Sequence, residues 1–133
     1  MHCTAELLCV DPAVIHKIWP HVREMIFSAS GRTGLSNPED TEFELLRGEQ
    51  LLWLAWDGEK IKAALSTRLA NGVCSITACG GKDMKSWVGL FPQLESFARN
   101  EGCSLRISGR IGWARVLKKY GFKMKYAILE RAD

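Results

Sequence analysis

The 133-residue chain lacks long hydrophobic runs, paired-cysteine motifs and residues at metal-ligand spacing. No apolar stretch approaches the roughly 20 residues that cross a bilayer, and the first residues do not combine a basic region with a hydrophobic core as a secretory signal does. The sequence therefore predicts no membrane segment, and we expect a cytoplasmic protein. With 47% hydrophobic and 25% charged residues, the composition predicts one globular domain over residues 1–133.

The cysteines and histidines form no pattern typical of a metal site or a disulfide framework. The five cysteines are Cys3, Cys9, Cys74, Cys79 and Cys103. Their number is odd and none of them forms a C-x-x-C motif, which argues against both a disulfide-rich fold and a zinc ribbon. His16 and His21 lie five positions apart and do not share one face of a helix. We predict no metal site and expect most of the cysteines to be small core residues.

Acidic residues are missing between Glu101 and Glu130. Residues 102–133 carry eight Lys/Arg and two Asp/Glu, a net of +6, whereas residues 1–101 carry ten and thirteen, a net of −3. The cations inside the acid-free stretch are Arg106, Arg110, Arg115, Lys118, Lys119, Lys123 and Lys125. Such a field favours a phosphorylated cofactor, a nucleic acid or an acidic protein surface, and a solvated helix beside a lysine-rich edge strand explains it equally well. A nucleic acid is the weakest of these partners because no recognised binding motif is present.

The first half of the chain contains the start signals of two helices. Asp11-Pro12 places an N-cap before a proline in the first helical position, and this helix is expected to run to about Phe27. Pro20 removes a backbone donor inside it, so we expect a kink or a break there. Asn37-Pro38 repeats the start signal for a short helix that ends near Arg47.

Six strands are predicted, and the turns between them indicate how several of them pair. The predicted strands are residues 4–10, 51–56, 60–69, 73–79, 103–108 and 123–131. Leu51–Trp56 is apolar on both faces, as in a strand that is buried on both sides. Asp57-Gly58 and Asn71-Gly72 are typical hairpin turns, so the second, third and fourth strands should form an antiparallel meander.

Two further helices connect the later strands. Residues 83–100 show a helical pattern, with Asp83 as the expected N-cap and a kink expected at Pro92. Because a full helix intervenes, the strand after it should lie parallel to the strand before it. A basic helix over residues 110–120 is expected to end at Gly121, since glycine readily adopts the left-handed conformation that closes a helix.

This order of elements (strand, two helices, three-strand meander, long helix, strand, helix, strand) resembles the GNAT acyltransferase superfamily over nearly the whole chain. The phrase Lys119-Tyr120-Gly121-Phe122 is similar to the Lys-x-Gly-Phe phrase that ends the last helix in that family. The resemblance implies an α+β (α/β), acyl-CoA N-acyltransferase-like fold, with a mixed, mostly antiparallel sheet of about six strands flanked by about four helices. It also implies an acyl-CoA-dependent N-acyltransferase that transfers an acetyl group to an amine.

The resemblance places a cofactor loop between the fourth strand and the long helix. The family's loop reads Gln/Arg-x-x-Gly-x-Gly/Ala, and this chain instead has Gly80-Gly81-Lys82-Asp83-Met84-Lys85. Glycines let backbone N–H groups at a helix start approach a phosphate, and the lysines would neutralise its charge. The residues expected to bind acetyl-CoA or another acyl-CoA are Cys79, Gly80, Gly81, Lys82, Lys85 and Arg110.

No single residue stands out as the catalytic acid or base. The family's tyrosine acid lies four residues before the terminal glycine, where this chain has Leu117, and Tyr120 points elsewhere on the helix. A thiolate can also leave without a proton donor, so acyl transfer stays chemically open. An unknown amine acceptor would need a carboxylate or a held water as its base, and a cysteine would act as a nucleophile only beside a cation. The candidates are Glu42, Glu44, Ser75, Thr77 and Cys79.

A second phrase favours a different function. Gly109-Arg110-Ile111-Gly112-Trp113 is similar to a segment of small phage- or prophage-encoded proteins of GNAT-like fold. That likeness implies a catalytically inactive protein with a structural, assembly or binding role in the host cytoplasm or the virion. Edge strands of such a sheet often pair between subunits, so a homodimer is a further alternative.

Overall fold

The computed structural model describes residues 5–30, 37–108, 112–127 and 129–131. In this part of the chain, five strands form one sheet in the order β1-β2-β3-β4-β5. The strands are β1 (Glu6–Cys9), β2 (Leu51–Trp56), β3 (Ile61–Ala70), β4 (Val73–Gly81) and β5 (Ser104–Ile107). The pairs β1–β2, β2–β3 and β3–β4 are antiparallel, and β4 and β5 are parallel. The predicted meander and the predicted parallel crossover are both confirmed.

Helices lie on both sides of this sheet. The helices of the described residues are α1 (Ile15–Ser30), α2 (Pro38–Leu46), α3 (Phe91–Asn100) and α4 (Gly112–Leu117). Short 3-10 turns are Pro12–Val14 before α1, Met84–Ser86 and Val88–Leu90 before α3, and Lys118–Tyr120 after α4. The mixed sheet with its flanking helices is the predicted α+β architecture. No helix in the described ranges is long and apolar enough to cross a membrane.

Side chains of the central strands alternate between two hydrophobic cores. On the α1/α2 face of the sheet, the buried residues are Leu52, Leu54, Ala64 and Ala78, which pack with Ile15, Trp19, Val22, Ile26 and Leu45. On the α3/α4 face, they are Trp53, Ala55, Ala63, Leu65 and Ile76, which pack with Trp87, Leu90, Phe91, Leu94 and Leu117. Because successive side chains of a strand point to opposite faces, the uniformly apolar sequence of β2 buries both of its sides, as predicted.

Local turn and cap chemistry fixes the ends of the early elements. Asn71 and Gly72 both have positive φ, 53° and 75°, which is the geometry of a two-residue type I′ hairpin turn. The Asp11 side chain accepts a hydrogen bond from the backbone N–H two residues later at 2.9 Å, and Asn37 does the same at 2.9 Å. The predicted hairpin and both predicted helix starts are confirmed.

Pro20 lies inside α1 without breaking it. The helix covers Ile15–Ser30, so it continues through Pro20 and beyond the predicted end near Phe27. Proline removes one backbone donor close to the start of the helix, while Val22 and Ile26 beyond it are fully buried against the sheet. Burial of this apolar face outweighs the missing hydrogen bond.

Two 3-10 turns replace the first part of the helix that was predicted over residues 83–100. Asp83 has a left-handed backbone, with φ 54° and ψ 63°, and its side chain caps no helix, so its predicted N-cap role is wrong. Trp87 is buried, and its Nε1–H donates to the Lys82 carbonyl oxygen at 3.0 Å. An irregular segment, rather than a regular first helical turn, places this large aromatic ring in the core.

Regular helix begins only at Phe91, and Pro92 is the second residue of α3. A proline in the first turn of a helix removes no donor that the helix needs. The predicted interior kink at Pro92 is therefore wrong. From this start, α3 packs Phe91, Leu94 and Ala98 against the sheet.

The C-terminal region follows the prediction to the end of the last helix and then departs from it. Gly121 has φ +88° and closes the helix as predicted, and Phe122 packs edge-on against Phe91 with ring centroids 6.1 Å apart. The described residues after it, 123–127 and 129–131, form no strand, and Leu129 is 92% exposed. Alternation produces a strand only where a partner strand and a buried face exist, so the described sheet has five strands instead of about six.

Candidate functional site

β4 and β5 pair over only part of their length. Their paired residues are Val73 with Ser104, Cys74 with Leu105, Ser75 with Arg106, and Ile76 with Ile107. Beyond Ile76, β4 continues to Gly81, and in the described residues its ladder there is with β3 alone. In the described residues the ladder between these parallel strands therefore ends at Ile76 and Ile107. We call the space beside the remaining edge of β4, residues 77–81, the cleft.

A β-bulge at Thr77 lies directly after the point where the ladder between β4 and β5 ends. In the ladder between β3 and β4, Ser66 lies opposite Ala78 and Thr67 lies opposite Ile76, so Thr77 has no opposite residue. A bulge bends its strand and increases the local twist. Because this bulge follows directly on the last pair with β5, it gives the physical cause of the cleft.

Along the cleft, one backbone edge of β4 has no partner strand in the part of the chain that the structure describes. The Lys82 N–H donates to the Lys62 carbonyl oxygen at 3.1 Å, which sets the alternation of this antiparallel ladder. Gly80 therefore directs its backbone groups toward β3, and Cys79 and Gly81 direct theirs toward the cleft. A ligand with peptide-like amides can bind such an edge as an added strand does.

Gly80 and Gly81 lie inside β4 rather than in a loop at a helix start, which differs from the prediction. A Cβ on Gly80 would collide with the Met25 carbonyl oxygen of α1, and a Cβ on Gly81 would collide with the Lys62 carbonyl oxygen of β3. Both glycines thus permit close approach of backbones, which is one of the two reasons for glycine within a strand. Packing accounts for them without a phosphate.

The two lysines expected at a phosphate site follow directly after β4. Lys82 and Lys85 are exposed, and neither takes part in a salt bridge with the described residues. Asp83 between them is also exposed. Their charges are available to an anionic ligand at this end of the cleft. Arg110, the third expected cation, lies outside the described residues.

Cys79 presents its thiol to the α3/α4 core, where it packs at the edge of the cluster. Burial raises the pKa of the Cys79 thiol to about 12, so the thiol is almost entirely protonated at neutral pH. The thiolate is the nucleophilic form of cysteine. The side chain is therefore poorly suited to nucleophilic catalysis, and the contribution of Cys79 to the cleft is its backbone.

Glu42 connects the two helices on the α1/α2 face. Its Oε2 accepts a hydrogen bond from the Trp19 indole N–H at 2.5 Å and one from the Arg23 Nε–H at 3.0 Å. The Trp19 hydrogen bond, and after it the Arg23 guanidinium, hold the pKa of the Glu42 carboxyl below its usual value. A carboxylate that is stabilised in its charged form is a weak base, so the contacts give Glu42 a structural role.

Glu44 connects α2 to the sheet through an ion pair with Arg68 of β3. Its Oε1 accepts from the Arg68 Nη2–H at 2.6 Å and Nε–H at 3.1 Å, and from the Gln50 amide at 3.2 Å. The Arg68 hydrogen bonds contribute most to lowering the pKa of the Glu44 carboxyl. Like Glu42, Glu44 is held in its charged form and is a weak base.

Gln50 joins Glu44 to the bulge. Its Oε1 accepts a hydrogen bond from the Thr77 hydroxyl at 2.6 Å, and that hydroxyl lies 2.5 Å from the Ser66 Oγ. The structure thus brings together Glu44 and Thr77, two of the sequence-based candidates, through residues that the sequence analysis did not select. A signal was present for both: Gln50 directly precedes an apolar strand, and Ser66 interrupts another.

Ser75 lies next to the cleft, in register between Arg68 and Arg106 on the two neighbouring strands. Paired residues of a sheet point to the same face, so the serine lies between two arginines. Arg106 is exposed, and its guanidinium carbon lies 5.5 Å from the centre of the Tyr126 ring. Of these two arginines, Arg68 is paired with Glu44, so the positive charge beside Ser75 comes from Arg106.

The last helix offers no proton donor at the position where the resemblance expects one. Leu117 occupies that position and is buried in the α3/α4 core. Tyr120 packs against the same core, with the Lys119 ammonium 5.3 Å from its ring centre. Neither Leu117 nor Tyr120 therefore provides a general acid at the position that the resemblance implies.

Comparison with known proteins bears on the fold. Neither a protein-family model nor a curated protein matches the sequence. Among solved structures, a probable acetyltransferase has a TM-score of 0.66 at 17% identity, covering 96% of this chain and 99% of that chain. A predicted acetyltransferase from Clostridium acetobutylicum, solved with acetyl-CoA, has a TM-score of 0.59 at 15% identity, covering 96% of both chains. The aminoglycoside N-acetyltransferase AAC(6')-Iy in complex with CoA has a TM-score of 0.64 at 12% identity, covering 97% of this chain and 94% of that chain.

The chain therefore has the fold of the GNAT acetyltransferases, and the likeness extends over almost its whole length. The fold prediction is confirmed. Because fold alone does not determine function, the chemistry has to be argued from the cleft and its residues.

Proposed function

We propose that the protein is an acyl-CoA-dependent N-acyltransferase, which transfers an acetyl or related acyl group to a small-molecule amine. The observation that carries the proposal is the cleft, where the ladder between two parallel strands ends at a bulge and the backbone groups of Cys79 and Gly81 have no partner strand among the described residues. The structures of the same fold that contain acetyl-CoA or CoA support it.

The chemistry of an acyl-CoA matches the groups along the cleft. Its pantetheine arm carries amides, which can hydrogen-bond to the backbone edge at Cys79 and Gly81. Its phosphates need positive charge, and Lys82 and Lys85 are exposed just beyond the end of β4. We assign these two lysines to the phosphates and keep Arg110 as a third candidate.

The reaction in this proposal is direct transfer. The amine nitrogen attacks the thioester carbonyl, so that a C–N bond forms and the C–S bond breaks. The amine loses one proton, and the departing thiolate takes one up from solvent. Backbone N–H groups at the cleft edge would stabilise the negative charge that develops on the carbonyl oxygen. No covalent enzyme intermediate is needed, in agreement with the neutral thiol of Cys79.

The amine reacts from its neutral form in this proposal, because the residues that the structure describes provide no strong base at the cleft. Glu42 and Glu44 are paired with arginines and have lowered pKa values. Leu117 replaces the family's proton donor. The turnover rate should therefore rise with pH until the acceptor amine is fully deprotonated, without a second inflection near neutral pH from a carboxyl group of the protein.

The acceptor is an unidentified amine, and the reaction is assigned to the cytoplasm, where acyl-CoA is available. One similar structure is an aminoglycoside N-acetyltransferase, which makes aminoglycosides the first compounds to screen. The thiols also fit a reducing compartment, since Cys9, Cys74, Cys79 and Cys103 are free in the described residues.

Calorimetric titration with acetyl-CoA tests the proposal, with desulfo-CoA and ADP as comparators at two salt concentrations. We expect micromolar binding of acetyl-CoA that persists in salt. Lys82→Glu with Lys85→Glu should weaken it about tenfold, as reversal of two exposed contacts does. Lys17→Glu with Arg47→Glu is the control, because it changes the net charge equally at exposed positions on α1 and after α2.

The absence of acetyl-CoA binding at both salt concentrations would contradict the proposal. The non-catalytic binding module of the same fold would then be the better account. An equal loss of affinity in the lysine variant and its control would show that net charge alone, rather than the end of β4, attracts the ligand.

A further inference from the structure

The hydrogen bonds around Gln50 have a defined donor-to-acceptor direction, which follows from the charges of Arg68 and Glu44 at one end of the chain of bonds. Arg68 can only donate, so Glu44 accepts from it. Glu44 as a carboxylate also accepts from Gln50, which directs the Gln50 amide nitrogen toward Glu44 and its oxygen toward Thr77. The Thr77 hydroxyl then donates to Gln50 at 2.6 Å, with the Ser66 carbonyl oxygen as a more distant second acceptor at 3.2 Å, and the Ser66 hydroxyl donates to Thr77.

This network joins four parts of the fold at the bulge. Glu44 belongs to α2, Gln50 directly precedes β2, Ser66 lies in β3 and Thr77 is the bulged residue of β4. Gln50 is 1% exposed and Ser66 is fully buried. Since buried polar groups depend on each other for hydrogen bonds, loss of one member leaves its neighbours without a partner in a place that water reaches poorly.

We propose that Gln50 is a positioning residue of the cleft. Its side chain ties the bulge at Thr77 to the Glu44–Arg68 ion pair, and this tie holds the direction in which β4 leaves β5. Gln50 thereby sets where the backbone groups of Cys79 and Gly81 point, without touching a ligand itself. Its effect on acyl-CoA affinity rests on the proposed function, whereas its effect on the geometry of β4 does not.

The test uses two variants that cut the tie at different points and one that retains it. Gln50→Leu removes both amide contacts at similar size, Thr77→Val removes the hydroxyl, and Thr77→Ser retains it. The matched control is Thr67→Val. Thr67 accepts a buried hydrogen bond from the Trp53 indole at 2.9 Å on the α3/α4 face. This variant therefore loses a buried hydrogen bond next to the bulge whose partner, Trp53, is not a member of the network.

Two measurements separate positioning from general stability. Amide hydrogen exchange of residues 77–81 in the ligand-free protein reports the geometry of β4, and calorimetry reports acetyl-CoA affinity. We expect Gln50→Leu and Thr77→Val each to accelerate exchange of the amides in this segment that bond to β3, such as that of Gly80, and to weaken acetyl-CoA binding by about tenfold, as the loss of one buried hydrogen bond does. Thr77→Ser should resemble the parent protein, and Thr67→Val should change neither quantity by more than about twofold.

Equal exchange at residues 77–81 in Gln50→Leu and Thr67→Val would overturn the inference. If Gln50→Leu does not fold, the contrast between Thr77→Val and Thr77→Ser decides instead, and equal behaviour of that pair would also overturn it. A parent protein that does not bind acetyl-CoA would refute the proposed function alone, because the exchange measurement still tests the tie.

Discussion

Replacement of Gly80 by alanine distinguishes a packing role from a phosphate-binding role at the end of β4. The added Cβ would collide with the Met25 carbonyl oxygen, lie 3.0 Å from the Met25 carbonyl carbon and 3.3 Å from the Ala29 Cβ. The first two atoms belong to the backbone of α1, so no side-chain rotation relieves them. The strand and the helix would have to move apart.

The expected cost follows from this geometry. Insertion of a methyl group into a packed interior destabilises a protein by typically 1–3 kcal/mol, and contact with backbone atoms places Gly80→Ala in the middle of that range or above it, at about 2 kcal/mol. For a chain of this size, each kcal/mol lowers Tm by about 4 °C. We therefore expect a Tm about 8 °C below that of the parent protein.

Thermal unfolding followed by circular dichroism measures this shift, and acetyl-CoA affinity is measured on the same samples below Tm. Ser75→Ala, a small change at a half-buried position of the same strand, is the control and should leave Tm within about 2 °C. An unchanged Tm for Gly80→Ala together with a large loss of acetyl-CoA affinity would refute the packing argument. It would show that the glycine serves the ligand.

Three other results are expected. In alkylation with iodoacetamide at pH 7.5, mass spectrometry should find Cys9, which is exposed, modified well before Cys79, whose pKa is raised to about 12. The pKa of Glu44 is lower in the folded than in the unfolded chain. The stability that its charged form contributes is therefore present above its unfolded pKa of about 4.3 and is lost as pH falls below that value. In urea unfolding from pH 3 to 7, the free energy of unfolding should depend less on pH for Glu44→Gln than for the parent. Leu117→Ala should destabilise the fold by about 2–5 kcal/mol in the same assay, as a fully buried leucine does; a loss below about 1 kcal/mol would contradict its core assignment.

The parts of the fold that could be predicted are those decided by neighbouring residues. Asn71-Gly72 determines its turn because both residues tolerate positive φ, and Asn37 caps a backbone N–H only two residues away. The boundaries of Leu51–Trp56 were predicted correctly because polar residues, Gln50 and Asp57, stand at both ends of the apolar run. Tertiary contacts did not alter these local preferences.

The departures occur where a distant contact decides the local structure. Trp87 belongs to a helical sequence pattern but does not lie in a regular helix, because its ring is buried and its indole N–H donates a hydrogen bond to the Lys82 carbonyl oxygen. Residues 123–127 and 129–131 alternate like a strand but have no neighbouring strand in the described sheet. Periodicity detects neither the presence nor the absence of such a partner.

The candidate site was predictable in its location but not in its organisation. The sequence pointed to the end of β4 and to α2, where Thr77 and Glu44 do lie in one network. The bulge at Thr77 depends on the register of β3 against β4, and Gln50 reaches it from a position 27 residues earlier in the chain. Both relations join residues that are far apart in the sequence, so neither could be predicted from local sequence patterns.

Amide hydrogen exchange with and without acetyl-CoA tests the central claim most directly, because it asks whether the cleft between β4 and β5 is where an acyl-CoA binds. The account predicts that acetyl-CoA slows exchange of the Cys79 and Gly81 amides, whose backbone groups point into the cleft, and has little effect on amides of β1 and β2. Binding that leaves these two amides unprotected, or no binding at all, would contradict it.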